Sequence, residues 1–233
     1  MNAIAIMQPY FCPYIGYFQL INAVDVFVIY DNIEYTKKGW INRNRLLADG
    51  QPAGFSIPLK KASDFLQVKE RFLADDFNGP RLLNRIRGAY AKAPHFDQAF
   101  PLVEAMVLFG ERNLFDFVFN SVGEICRFLG ISTRLVKSSE VVVDHELKGQ
   151  EKVLAICKAL GAERYINPIG GRALYARDVF RAQGLDLGFL QTGTITYRQF
   201  GAEFVEFLSI IDVLMFNARD EIARDFLGRY ELV

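Results

Sequence analysis

The chain has 233 residues, of which 51% are hydrophobic, 14% aromatic and 23% charged, and 21 of them are phenylalanine. This composition is typical of a globular protein with a thick core and excludes an intrinsically disordered chain. Lys plus Arg and Asp plus Glu both number 27, so the formal net charge is zero. A protein that works on duplex nucleic acid is excluded, because such a protein needs a basic field over its surface.

The first thirty residues predict a βαβ unit. The apolar run AIAIM (3–7) ends at a Gln-Pro breaker, YIGYFQLINAV has helical spacing, and DVFVIY predicts a second strand. Two strands joined through a helix run parallel, and open α/β sheets bind ligands beyond the carboxyl ends of their strands. We therefore expect a site in the segments that follow these two strands.

The amino-terminal stretch also resembles a targeting signal, because no charged residue stands between Met1 and Val24. We expect neither a signal peptide nor a membrane span, since no basic segment comes first and Gln8, Pro9 and Pro13 interrupt the apolar run. The three cysteines are an odd number with no close pair. Reduced thiols and a cytoplasmic location are therefore expected.

The rest of the chain alternates strands and helices around a helical middle section. INRNRLL and GFSIPL predict a β-hairpin over 41–58, and a mostly helical stretch follows over 78–130. Further strands are predicted at STRLVKS, RYINP and LDLGFLQ, with helices at GQEKVLAICKALG and LYARDVFRAQG. The predicted fold class is α/β with a parallel core sheet, as one domain over 1–233 with a helical insertion over 78–130.

The densest polar segment is YDNIEYTKKGWINRNRL (30–46), directly after the second predicted strand. As a ligand site it offers an acid at the strand end, cations for phosphate, and flat rings for a sugar or base. The alternative is a solvated loop whose charges neutralise one another and whose Trp fills the core. A ligand site is favoured, because a solvated loop has no need of Trp, Tyr and Asn. The candidates are Asp31, Tyr35, Lys37, Trp40, Arg43 and Arg45.

Two glycine-containing segments offer further contacts. QPYFCPYIGYF lacks the glycine spacing of a dinucleotide turn or a P-loop, but it supplies the Gln8 amide and, around Gly16, an aromatic wall that includes Tyr10 and Tyr17. A proline-stiffened core loop is an equal alternative. In YINPIGGRALY, backbone amides at Gly170 and Gly171 can hold an anion, although an ordinary turn is the favoured interpretation.

No catalytic unit follows from residue spacing. There is no Gly-x-Ser-x-Gly elbow and no paired metal-binding His, and Cys12 lacks a base partner. His95 is a candidate base or a helix-start residue, and KSSE supplies Ser139 and Glu140 as contacts or caps a strand end. No metal is expected, and the sequence identifies no cofactor.

One long motif resembles the opening signature of the WbqC-like family: QPYFCPYIGYFQLINAVDVFVIYDNIEYTKKGWINRNRL. Later segments are similar too, namely AYAKAPHF, SSE, GQEKVLAICKALGAERYINPIGGRALY and FLSIIDVLMFN. The positions that match the family pattern are Gln8, Pro9, Pro13, Gly16, Tyr17, Asp31, Tyr35, Thr36, Lys37, Trp40, Asn42, Arg43, Asn44, Ser139, Glu140, Tyr165, Gly170, Gly171, Tyr175, Ser209 and Asp212. SSEV in place of SSEL is a minor departure, and Asn167 replaces a more usual Ser.

The resemblance implies work on O-antigen and other surface glycans. The first hypothesis is a cytoplasmic transferase that moves an acyl or aminoacyl group, such as glycyl, onto a nucleotide-linked amino sugar. Lys37 and Arg43 would hold the diphosphate, Trp40 or Tyr35 would stack, and Asp31 or His95 would accept the proton. Catalytic roles are accordingly predicted for Asp31, His95 and Lys37.

Two other hypotheses remain open. A non-catalytic scaffold of the same pathway is favoured by the absence of a catalytic unit and by the aromatic surplus. A nucleotidyltransferase is the third, by analogy of fold alone, although PYIGYF stands where such enzymes have a His-x-Gly-His element. The expected partners are the nucleotide-linked amino sugar and an acyl or aminoacyl donor. A homodimer is left open.

Overall fold

A mixed sheet lies at the centre of the computed structural model, which describes residues 2–63, 65–201 and 203–233. The strands are β1 (Ala3–Met7), β2 (Val26–Ile29), β3 (Arg43–Ala48), β4 (Gln51–Ser56), β5 (Arg134–Lys137), β6 (Arg164–Pro168), β7 (Asp186–Thr192) and β8 (Tyr230–Leu232). The spatial order in the sheet is β5-β2-β1-β6-β7-β8, and the hairpin β3-β4 lies apart from it.

The sheet confirms the predicted parallel core and the βαβ start. β5, β2, β1, β6 and β7 pair in parallel, and β8 is added antiparallel to β7. β8 was not predicted, because three residues carry too little alternation to indicate a strand. The strand order grows outward from β1 in both directions, so the topological switch point lies between β1 and β6. Ligands of such sheets bind in the crevice at this point.

The helices surround the sheet. They are α1 (Ile15–Asn22), α2 (Gly79–Tyr90), α3 (Phe96–Val107), α4 (Leu114–Leu129), α5 (Gly149–Ala159), α6 (Arg177–Ala182), α7 (Ile210–Phe216) and α8 (Arg219–Glu221), which continues as a π-helical turn (Ile222–Phe226). Short 3₁₀ segments are Val68–Glu70, Ser138–Glu140 and Ile169–Leu174. α2, α3 and α4 occupy the stretch predicted as helical, whereas the division into domains stays a prediction.

Local sequence signals explain where these elements begin and end. Asn78 caps α2 through the N–H of Arg81, and Asn113 caps α4. Gly130 ends α4 in the left-handed region, where a side chain would be strained. The hairpin turn consists of Asp49 and Gly50, both with positive φ, as a two-residue turn requires.

Alternation along the strands divides the core into two layers. Ala5, Phe27 and Ile29 pack in the layer that holds α1, α2, α3, α4 and α7. Ile4 and Val28 point the other way, towards α5 and α6. This double coverage explains why the central strands β1 and β2 have no polar positions. Among the described residues, no helix combines the length and apolarity that a membrane crossing needs.

Candidate functional site

The carboxyl edge of the sheet brings together segments that lie far apart in the sequence. β1 ends at Met7, β2 at Ile29, β5 at Lys137 and β6 at Pro168, and the parallel pairing aligns these ends. The loops that follow carry most of the predicted site residues.

Asp31 is held at the end of β2 by the first turn after β5. Its Oδ1 accepts hydrogen bonds from the Ser139 N–H (2.8 Å) and lies 2.8 Å from the Ser138 hydroxyl, while its Oδ2 accepts from the Ser139 hydroxyl. Asp31 is only 3% exposed. Burial raises the pKa of Asp31, but the hydrogen bonds from Ser139 and Ser138 outweigh it and leave the pKa below its usual value. Asp31 is therefore ionised and has its oxygens occupied.

A second polar group continues from this carboxylate and was not predicted. Oδ1 of Asn32 lies 2.6 Å from the Ser138 hydroxyl and 3.4 Å from Nζ of Lys152, and the Asn32 amide nitrogen lies 2.9 Å from Nδ1 of His145. Nζ of Lys152 is also 3.3 Å from the His145 carbonyl and 5.7 Å from the centre of the Tyr30 ring. Asp31 thus belongs to a network that joins β2, β5 and the first turn of α5.

Tyr165 and Tyr175 stand beside this network on the same side of the sheet. Tyr165 stacks on Phe180 at 5.5 Å, and its hydroxyl lies 3.2 Å from Oδ1 of Asn167 and 3.4 Å from the Tyr175 hydroxyl. Tyr165 and Asn167 are buried. Their contacts fix the exit of β6, and Tyr175 is the partly exposed member of the group.

Gly170 and Gly171 lie in the 3₁₀ segment Ile169–Leu174, not at the start of a long helix. A Cβ on Gly171 would lie 2.0 Å from the side-chain nitrogen of Asn167. Glycine is therefore required for the close approach of this segment to the Asn167 side chain on β6. Glu140 is exposed in the 3₁₀ segment after β5. The anion-binding role of these amides stays a prediction.

Some polar side chains of the segment 30–46 form hydrogen bonds that hold the loop against the hairpin. The Tyr35 hydroxyl donates to Oδ1 of Asn42 at 2.7 Å, and Nδ2 of Asn42 donates to the Ile57 carbonyl at 2.7 Å. Nδ2 of Asn44 donates to the carbonyls of Phe11 and Cys12, at 3.1 and 2.7 Å. Because these three side chains are buried, their polarity serves the fold of the loop.

The remaining part of this segment lines a groove of about 970 Å³ between the hairpin and α2. Trp40 is 43% exposed there, and the Arg45 guanidinium lies 5.3 Å from its ring centre. Across the groove, Arg81 and Arg85 project from one face of α2, four residues apart. The fourth cation is Arg43, and the lining includes one carboxylate, Asp76.

Three of the four guanidinium groups of this groove are oriented by carbonyls, and none of the four forms an ion pair with an acid in the described part of the chain. Arg43 donates to the Lys37 carbonyl, Arg45 to the Phe207 carbonyl (3.0 Å) and Arg85 to the Gly54 carbonyl (2.6 Å). Within the described part of the chain, Nε of Arg43 and Nε of Arg45 are shielded from solvent and have no hydrogen-bond partner. Lys37 is exposed on the loop, and its carbonyl orients Arg43.

A smaller cavity of about 260 Å³ adjoins the groove, with Trp40, Asn44 and Arg45 lining both. Its other walls are Tyr10, Pro13, Tyr14 and Phe207, so four aromatic side chains enclose it. Phe207 is 66% exposed and has a φ of 55°, a strained backbone conformation for a bulky residue. Strain of this kind is found at ligand sites more often than elsewhere.

The predicted residues after β1 connect this cavity to the sheet edge. The Tyr10 hydroxyl donates to Oε1 of Gln8 at 3.1 Å, and the Tyr17 hydroxyl donates to the Gln8 carbonyl at 2.9 Å. A Cβ on Gly16 would lie 2.4 Å from the Tyr14 ring, so glycine allows this wall of the cavity to form. Tyr17 is buried, while Gln8 and Tyr10 are partly exposed.

His95 lies at the start of α3, away from the groups described above. Its N–H donates to the Met215 carbonyl at the end of α7, at 3.0 Å. It therefore lies among the helices α2, α3 and α7, and its catalytic role stays a prediction. In the described ranges, no group of three or more His, Cys, Asp and Glu side chains could hold a metal ion.

The unpredicted members of the site left weak signals in the sequence. Lys152 lies on the buried side of α5 with Val153 and Ile156, where a lysine is unexpected. Arg81 and Arg85 have the i, i+4 spacing of any solvated helix face, so only the hairpin opposite distinguishes them.

Comparison with known proteins gives a consistent result. The model of the WbqC-like protein family matches residues 8–224. The chain is 31% identical over 232 residues to the uncharacterized protein Rv1507c of Mycobacterium tuberculosis. The aligned region covers 97% of this chain and 98% of that protein. No solved structure gives a significant match. On the extent of the family match, the chain belongs to the WbqC-like protein family.

Proposed function

We propose that the protein binds a nucleotide-linked amino sugar in the arginine-lined groove and transfers an acyl or aminoacyl group, such as glycyl, onto the sugar amine. The setting would be the cytoplasmic assembly of O-antigen or another surface polysaccharide, as family membership suggests. One observation carries the proposal: four arginines and an exposed Trp line one groove, and two buried Nε atoms there have no hydrogen-bond partner among the described residues.

The cations suit a diphosphate. Guanidinium groups bind phosphate oxygens through paired, charge-assisted hydrogen bonds, and they are less strongly hydrated than lysine. Arg43, Arg45 and Arg85 each use one nitrogen on a carbonyl, which fixes the side chain and leaves the other donors for a ligand. Carbonyls do not neutralise the positive charge of these arginines. A ligand with two negative charges is therefore attracted by all of them.

The aromatic cavity suits the flat part of the same ligand. A nucleobase or sugar ring can stack on Trp40 while the diphosphate extends into the groove. The Asn44 amide is fully used by Phe11, Cys12 and the Arg45 N–H. The cavity therefore offers rings for stacking but few free hydrogen-bonding groups that could distinguish one base from another. We accordingly expect the protein to have only a weak preference among nucleotides.

In the transfer step, the sugar amine attacks the acyl carbon of an activated donor. A C–N bond forms, the donor's leaving group departs with the electron pair of the broken bond, and the amine loses one proton to a base. The predicted acceptors are Asp31 and His95. The lowered pKa of Asp31 makes it a weak base. Its hydrogen bonds from Ser139 suit a role in which Asp31 holds Ser139 in position.

The test is ligand-induced stabilisation and fluorescence. Trp40 is the only Trp of the chain, so its emission reports on the groove directly. A ligand at 100 times its dissociation constant adds about 2.7 kcal/mol, which raises Tm by roughly 5–10 °C for a chain of this size. We expect a UDP- or TDP-linked amino sugar to change Trp40 emission and raise Tm, with weaker effects at high salt.

Matched variants locate the binding. Arg81→Ala and Arg85→Ala should weaken binding tenfold or more, whereas Arg87→Ala should not, because Arg87 packs over Phe100 at 4.4 Å. A well-folded wild type that responds to no nucleotide or nucleotide sugar overturns the proposal. Binding without transfer, over a panel of acyl and aminoacyl donors, would favour the scaffold hypothesis.

A further inference from the structure

We infer that Lys152 and His145 form a second binding site, which takes a carboxylate or phosphate group at the carboxyl ends of β2 and β5. This site is separate from the arginine-lined groove, and it does not depend on the function proposed above. A transferase has two substrates, so a second anion site would also give the donor a place.

Lys152 is an almost fully buried cation without an acid partner. The residue is 6% exposed, and no carboxylate in the described part of the chain lies within 4 Å of Nζ. Its two hydrogen bonds, to Asn32 and to the His145 carbonyl, are long at 3.4 and 3.3 Å, and both acceptors are neutral. An ammonium group has three donors, so one remains for a ligand. A buried cation in this state is stabilised by a bound anion.

The protonation of His145 follows from its neighbours. Oδ1 of Asn32 faces Nζ of Lys152, which can only donate, so the other end of this amide is the NH₂ group. This NH₂ donates to Nδ1 of His145, which must therefore be unprotonated. In the neutral ring, the proton then lies on Nε2. His145 is partly exposed, so it presents an N–H donor next to Lys152.

Neighbouring charges do not replace the anion. Asp31 lies in the same network, but its oxygens face Ser138 and Ser139 and make no ion pair with Lys152. Burial lowers the pKa of Lys152, and the charges of Asp31 and Glu146 act in the opposite direction. Together with the positive charge of Lys69, the loss of solvation exceeds the compensation from these two acids, which leaves room for a further negative charge.

The chemistry of the donors defines the ligand. Lys152 and His145 both donate, and the side chain of Lys148 makes no capping hydrogen bond to the first turn of α5, the turn next to Lys152. The site lies at the carboxyl ends of the parallel strands β2 and β5, on the edge of the sheet at which ligands of this architecture bind. Small groups with several acceptor oxygens fit such donors, namely the carboxylate of an amino acid or acyl donor and the phosphate of an activated one.

The chain is suited to a direct test, because it contains only two histidines, His95 and His145. Protein labelled with ¹⁵N-histidine is titrated with inorganic phosphate and, separately, with acetate at constant pH and ionic strength. We expect the His145 ring signals to move saturably with one of these anions, while His95 stays still. The anion that binds more tightly identifies the chemical source.

Variants connect the signal to the site. Lys152→Met should raise the apparent Kd at least tenfold, while Lys148→Met, an exposed lysine at the same helix start, should leave it unchanged. Arg81→Ala should also leave it unchanged, which separates this site from the groove. If Lys152→Met fails to fold, Asn32→Asp serves instead, because it places a fixed carboxylate beside the ammonium and should abolish anion binding.

Several outcomes would overturn the inference. One is a His145 signal that does not respond, and another is a response that never saturates and is matched by His95. A third is an unchanged titration in folded Lys152→Met or Asn32→Asp. Failure of the nucleotide-sugar experiment would leave the His145 titration intact, so the two proposals fail separately.

Discussion

Asp31 and Asp212 are both buried carboxylates that accept hydrogen bonds, yet their pKa values are shifted in opposite directions. At Asp31, a hydroxyl and an N–H of Ser139 together with Ser138 outweigh the effect of burial. At Asp212, burial outweighs the donors, which are the hydroxyls of Tyr90 (2.9 Å) and Tyr197 (2.6 Å) and the amide of Gln199 (2.8 Å). The pH dependence of stability therefore distinguishes the two residues.

Replacing Asp31 with Asn removes a group whose pKa is lower in the folded chain than in the unfolded one. Such a group stabilises the fold above the unfolded value of about 3.9, and this contribution is lost as the pH falls through the folded pKa. We expect the free energy of unfolding of the wild type to exceed that of Asp31→Asn by on the order of 1–3 kcal/mol at pH 7. Urea unfolding should show this difference shrinking towards pH 3.

Replacing Asp212 with Asn should have the reverse pH dependence. Because burial raises the pKa of Asp212, ionisation costs stability, and this cost appears as the pH rises through the folded pKa. The wild type should therefore lose stability relative to Asp212→Asn as the pH rises over the range above about 4, by roughly 1.4 kcal/mol for each tenfold change in the proton affinity of the carboxylate. A difference between wild type and variant that stays constant over this range would contradict the expectation.

At the scale of elements, the start of α1 meets the end of β7 next to the Tyr14 ring, which lines the aromatic cavity. A methyl group on Gly16 would lie 2.4 Å from a Tyr14 ring atom and 2.6 Å from the Thr192 hydroxyl. We expect Gly16→Ala to displace the Tyr14 ring and to cost about 1–3 kcal/mol, as overpacking does. The Trp40 response to nucleotide sugars should weaken as well, measured by the same titration.

Gly88 in α2 provides the matched control. A Cβ there meets nothing within 4 Å, so Gly88→Ala should stabilise the helix by about 0.5–1 kcal/mol. Its Trp40 response should equal that of the wild type. Equal effects of the two substitutions on ligand binding would refute the role of Gly16 in shaping the cavity.

The sequence predicted elements better than it predicted contacts. Asp31 and Ser139 were correctly expected at strand ends, because apolar runs followed by polar residues locate the carboxyl edge of a sheet. Tyr35 and Asn42 bond to one another, which no spacing rule could indicate, since the hairpin folds back on the loop through tertiary packing. Lys152 was overlooked because a lysine in a helix usually lies on the solvated side.

At the scale of the whole molecule, the reactivity of the three cysteine thiols measures how far the fold opens. Cys12, Cys126 and Cys157 are free and buried, and burial raises the pKa of each thiol, to about 12 for Cys126 and Cys157. A protonated thiol reacts poorly, so a disulfide reagent at pH 7.5 should modify none of them in the folded protein and three after denaturation. Rapid labelling of one thiol under native conditions would reveal local opening around it.

Trp40 and Arg45 form a wall shared by the groove and the aromatic cavity. A molecule that enters one compartment must either use or shift these two side chains, and this changes what the other compartment offers. Occupancies of the two compartments are then linked thermodynamically, and the linkage is reciprocal: each occupant alters the affinity of the other by the same factor. A fragment that fills only the cavity would thus change the affinity of the groove for phosphate.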